Sequence, residues 1–212
     1  MTRIGNFVAA LIALTALLAG LPLGAASAQT IIDRWASVPQ PAPPALKPVT
    51  VDPKTTALLM LDFMSQNCGK RPACLASLPT MKRLLDDART AKVPVVYSII
   101  ANSTTADIMP DVAPLADEPW VKTGPDKFLN TDLAKILKDK DIQTVIVTGT
   151  ASNGAVLFTA AGAAFRGLNV VVPVDGMSAA DPYADVASTF MFMNAPSLSA
   201  KTTLTKAEMI KF

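Results

Sequence analysis

Few residues in this chain can do chemistry, and the missing ones narrow the field first. There is no histidine among the 212 residues. Ser-His-Asp and Cys-His catalysis are therefore excluded, as is a His-ligated zinc. The two cysteines, Cys68 and Cys74, flank Gly69-Lys70-Arg71-Pro72 and their neighbours. In an exported chain such a pair reads as a small-loop disulfide, a free reactive thiol being the alternative. Acid–base work must then fall to Asp, Glu, Lys or Tyr. One stretch is shaped to build a site: residues 144–167, TVIVTGTASNGAVLFTAAGAAFRG. A β-branched run (144–148) is followed by a small polar turn (149–153). An Ala-rich apolar segment then closes at Gly167, where a helix end favours positive φ. A turn from a buried strand into a helix sets backbone N–H groups at the C-terminal edge of a sheet. Open α/β sheets bind their ligands there. An ordinary βα unit would carry the same pattern.

The elements that must position such a turn lie downstream of a leader. Arg3, an apolar run over 7–23 and Ala26-Ser27-Ala28 form the three regions of a secretory signal peptide over 1–28, implying a periplasmic or secreted protein. An uncleaved anchor is the rival reading, weakened by the short apolar stretch and by Pro22. Residues 29–50 read as a proline-rich arm, and 51–212 suffice for one α/β domain. The net charge is only +2. With no basic run interleaved with aromatics, nucleic-acid binding has no support. No cofactor or metal is expected.

Along the domain, strand and helix signals alternate. Residues 56–62 (TALLMLD) are a continuous apolar run ending in the carboxylate of Asp62, as in a central parallel strand buried on both faces. A helix is predicted over 75–91 from the spacing of Leu78, Met81, Leu84, Leu85 and Ala88, with Ser77 as its cap. A strand follows at 93–100. Residues 101–119 are a long Pro-punctuated loop, and 120–127 show no helical period. Further expectations are a helix capped by Asn130-Thr131-Asp132, strands at 144–148, 169–174 and 202–204, a helix over 184–195 and a short terminal helix. The class is α/β: a single-domain, Rossmann-like three-layer sandwich with a mostly parallel sheet of about six strands.

At this level of detail the chain resembles the isochorismatase-like hydrolases, also called the cysteine hydrolases. Three motifs carry the resemblance in order and spacing. The first is the apolar strand ending in Asp62, where the family has its catalytic Asp. The second is Lys122 ahead of Phe128 and Thr131-Asp132-Leu133, which matches the family's catalytic Lys before F-x-x-T-D-L; Lys127 lies close enough to compete for that register. The third is Val147-Thr148-Gly149-Thr150-Ala151-Ser152-Asn153-Gly154-Ala155-Val156, similar to the family's nucleophile turn. Asp175 matches a further acidic residue. The resemblance also implies a cis peptide at Thr150-Ala151 and self-association into homo-oligomers.

One departure decides the chemistry. Ala155 stands where the amidohydrolase members carry their nucleophilic Cys, and a methyl group cannot attack a carbonyl. Hydroxyls of Ser152 or Thr150 have no histidine to activate them. The family's vinyl-ether hydrolases work without the sulfur, so Asp62 as general acid and Lys122 as its electrostatic partner would suffice. Phe63, Trp120, Thr150, Ala151 and Ala155 are candidates to contact a small-molecule substrate. A catalytically inactive, small-molecule-binding relative is the alternative reading.

Overall fold

A computed structural model describes residues 30–212. The signal-peptide reading of 1–28 lies outside the described residues. Residues 30–40 belong to a first unit and hold a helical turn α1 (Ile31–Arg34), where Asp33 accepts from the Thr30 N–H and hydroxyl. The second unit, Pro41–Phe212, holds everything else.

The main sheet follows the pattern of buried apolar runs. Its strands are β2 (Thr56–Leu61), β3 (Val95–Ile99), β4 (Trp120–Lys122), β5 (Thr144–Thr150), β6 (Asn169–Pro173) and β8 (Thr202–Thr205), in the spatial order β4-β3-β2-β5-β6-β8. The two-residue β7 (Met177–Ser178) adds to the end of β5, giving a seven-stranded sheet whose pairs are all parallel. Every residue of β2 is buried, as its unbroken apolar run requires.

Helices cover both faces. Leu78, Met81, Leu84 and Leu85 of α2 (Pro72–Thr90) pack with Leu58, Met60, Tyr97 and Ile99 on one side. On the other side α3 (Leu133–Asp139), α4 (Leu157–Phe165) and α5 (Pro182–Asn194) bring Leu137, Ala160, Ala163 and Phe192 against Leu59, Leu61, Val145 and Val147. Among the described residues, no helix is long and apolar enough to cross a membrane.

Several boundaries differ from expectation. Helix α2 begins at Pro72, which fits a first helical turn, so Ser77 lies inside it and bonds the Cys74 carbonyl instead of capping. Residues 120–122 form the edge strand β4, too short to show a period. The expected helix from 154 starts instead as a π-helical turn, Ser152–Val156. The end of the chain holds a 3₁₀ turn and β9 (Ile210–Lys211), paired in parallel with β1 (Val49–Thr50) inside the stretch read as an arm.

Two positions behind the sheet edge set stability. Gly149 has φ +139°, and a Cβ there would lie 2.1 Å from the Leu61 carbonyl oxygen, so β2 and β5 can close only on a glycine. Gly149→Ala is expected to cost about 3 kcal/mol in denaturant unfolding. Asp185, in the first turn of α5, has its carboxyl held above the usual 3.8 chiefly by burial, against opposing hydrogen bonding from Ser152 and the Ala179 backbone. The folded state therefore holds that proton more tightly than the unfolded one, and stability is lost as pH rises through the carboxyl's range. Asp185→Asn should raise Tm at neutral pH, with the gain vanishing below about pH 3.

Candidate active site

The chain leaves β2, fills one side of the sheet with β3 and β4, then returns to β2's other side as β5. This reversal falls between the C-terminal ends of β2 and β5, the usual ligand position in such sheets. Asp62 and the 149–156 turn both lie there, because Leu61 pairs with Gly149 in the β2–β5 register.

Asp62 follows the last residue of β2 with φ +53°, a left-handed conformation that Asp adopts more readily than most residues. Its side chain is buried. Oδ1 accepts from the Ser98 hydroxyl at 2.7 Å, and Oδ2 accepts from the Lys127 ammonium at 2.7 Å. Lys127 is 1% exposed and Asp62 5%, so this is a fully desolvated ion pair. The ammonium also donates to the carbonyls of Gly124 at 2.9 Å and Thr123 at 3.4 Å, which accounts for all three of its protons.

The backbone of Lys127 is fixed by α4 and by the loop that follows it. Its N–H donates to the Thr159 hydroxyl, and its carbonyl accepts from Thr131. The Phe128 ring packs where α4 has Gly162; a Cβ there would come within 2.9 Å of the ring. The Arg166 guanidinium lies 4.4 Å from the centre of the same ring.

Lys122 is not the partner of Asp62. It is exposed at the end of edge strand β4, with β3 between it and β2, which places its backbone about 10 Å from that of β2. Its ammonium donates to the Ser103 carbonyl at 2.8 Å. Lys127 reaches Asp62 because Gly124 and Pro125 turn the chain back beneath α4. That turn signal was visible in the sequence, but which of two nearby lysines it favoured was not.

The remaining candidates separate. Thr150 is buried, and its hydroxyl bonds the Ser178 carbonyl at 3.0 Å. The Thr150–Ala151 peptide is cis. Ala155 is buried in the π-helical turn and packs into the α4-side core. Phe63, 2% exposed, belongs to the core on the α2 side. Trp120 is exposed at the start of β4, away from the C-terminal edge. Asp175 accepts from the Ala207 backbone N–H at 2.9 Å and so ties down the 207–209 turn. Cys68 and Cys74 are joined as a disulfide. Sequence reading missed Arg71, inside that disulfide loop: its guanidinium donates to the Thr150 hydroxyl at 2.6 Å.

A buried Asp–Lys ion pair at the switch point of an α/β sheet can be set beside proteins of known type. Residues 56–204 match the Isochorismatase domain. An uncharacterized isochorismatase family protein, YaaI, of Bacillus subtilis (strain 168) is 33% identical over 143 residues, covering 56% of this chain and 78% of that protein. Among solved structures, a cysteine hydrolase from Pseudomonas syringae pv. phaseolicola superposes with a TM-score of 0.67 at 19% identity, over 79% of this chain and 95% of its own. The N-carbamoylsarcosine amidase of Thermoplasma acidophilum gives 0.63 at 19%, over 73% and 97%. Sheet order, helix placement and the 56–204 match agree: the chain belongs to the isochorismatase family.

Proposed function

We propose that this protein is an exported hydrolase that cleaves a small molecule by Asp62–Lys127 acid–base chemistry, with no protein nucleophile. The observation that carries the reading is the buried pair itself. Taking an ammonium and a carboxylate out of water costs several kcal/mol per ion before their attraction offsets it, and a pair of apolar residues would fill the space at no such cost. Its position at the C-terminal edge of the sheet gives the expense a use. The family's hydrolase fold supports the class of reaction, and the leader motif and the Cys68–Cys74 bond support export.

The chemistry follows from what the turn lacks. With Ala155 where a thiolate would stand, no acyl-enzyme can form there, and water must be the nucleophile. For a vinyl ether, Asp62 would relay a proton taken from the Lys127 ammonium to the enol carbon. Water then adds to the resulting oxocarbenium carbon and returns a proton to Asp62, and the hemiketal collapses to a ketone and an alcohol. Lys127 holds the carboxylate through both transfers, and Ser98 fixes its second oxygen. Lys127, with every proton engaged, is a poor anchor for substrate.

The alternative, a binding protein without turnover, is favoured by Ala155 alone and is separated by one assay. Purified mature protein is tested against vinyl ethers, amides, lactams and esters. Asp62→Asn and Lys127→Met should each lower kcat/KM at least about 100-fold, while Lys122→Ala stays within about threefold. Turnover that is absent, or equal in all four proteins, would sink the hydrolase reading and leave the binding one.

A further inference from the structure

The described residues contain a half-buried cation that the acid–base pair leaves unused. Arg71 is the residue just before α2 and lies within the Cys68–Cys74 loop. Among the described residues its guanidinium has no carboxylate within ion-pair distance, and its side-chain hydrogen bond is to the Thr150 hydroxyl. Two other arginines are differently placed: the partly buried Arg89 forks onto Glu118, and the exposed Arg166 lies over the Phe128 ring and bonds the Gly162 carbonyl. A guanidinium offers five N–H donors in a planar fork suited to a carboxylate, so one hydrogen bond to a neutral hydroxyl leaves most of it uncommitted.

Its surroundings point the same way. Thr150 is the last residue of β5, one step beyond the Gly149–Leu61 pairing and so level with Asp62 at the C-terminal edge. Ser178 stands opposite Thr150 in the β5–β7 register, and Ser152 follows two residues later. Both serines are buried; the Ser152 hydroxyl faces the Asp185 carboxyl, and that of Ser178 has no hydrogen-bond partner in the protein. Buried hydroxyls are rarely left unpaired, and that of Ser178, on the residue opposite the arginine's own partner, is a donor suited to an anion. The disulfide and the following Pro72 hold the loop that carries the arginine, so the fork is fixed before a ligand arrives.

We infer that Arg71, braced by the Cys68–Cys74 loop and by Thr150, is the anchor for a carboxylate on the substrate, which makes the substrate a small organic acid. The inference rests on reading the Asp62–Lys127 edge as the substrate site. Lys127 cannot take this role because its protons are spent on Asp62 and two carbonyls.

Binding, read apart from turnover, tests it. Benzoate and pyruvate, each beside its uncharged amide, are titrated by calorimetry into wild type, Lys122→Ala, Arg71→Gln and Arg71→Lys. At least one carboxylate should bind wild type and Lys122→Ala alike, and its amide should bind at least about tenfold more weakly. Arg71→Gln should weaken the carboxylate at least about tenfold, and Arg71→Lys, which keeps the charge but not the fork, about threefold or more. Arg71→Lys decides the matter if Arg71→Gln does not fold. Carboxylate affinity unchanged in both Arg71 variants, lost in Lys122→Ala, matched by the amide, or absent from wild type overturns the inference. Because calorimetric binding needs no turnover, failed turnover with intact Arg71-dependent binding indicts the hydrolase reading alone.

Discussion

The buried contact between Lys127 and Asp62 is the constraint to which the rest of the site answers. An ammonium and a carboxylate at 2.7 Å in a dry interior are tolerable only if every remaining proton and lone pair is served. Ser98 on β3, two carbonyls of the 123–124 turn and the Asp62 conformation at the end of β2 provide this. Thr159 on α4 and Thr131 before α3 hold the lysine's backbone. The sheet and the α3–α4 layer therefore meet at one ion pair, and neither could shift without stranding a charge.

Much of this was legible from residue order. The apolar run 56–61, the β-branched run from 144 and the alternation with helical spacing are consequences of burial, and burial is what periodicity reports. Asp62 could be placed because it ends a strand whose position in the sheet the run itself implies. The lysine could not. A long flexible side chain decouples where its charge sits from where its backbone sits, so spacing to Phe128 pointed to Lys122 while the turn at Gly124-Pro125 delivers Lys127. Short strands escaped for a related reason: three residues at 120–122 and two at 177–178 are too few for a strand alternation to repeat.

Arg71 shows a different limit. Nothing in its neighbours' spacing ties it to Thr150, 79 positions later in the chain. Such a contact exists only once α2 and β5 have been laid on the same sheet, so it belongs to topology and cannot be read from a local window. The cysteines were readable as a brace, but the residue braced was not.

The small β1–β9 sheet carries a consequence for the order of assembly. Val49 and Thr50 leave the ribosome long before Ile210 and Lys211, their parallel partners. The seam beside the α2-side core, where Ile210 and Val51 are both buried, must stay open while the intervening sheet is made. Pairing across so long a stretch of chain is entropically late, so this corner closes last during synthesis and leaves apolar residues uncovered until it does. In a growing chain, a holding chaperone would have its natural target at that seam.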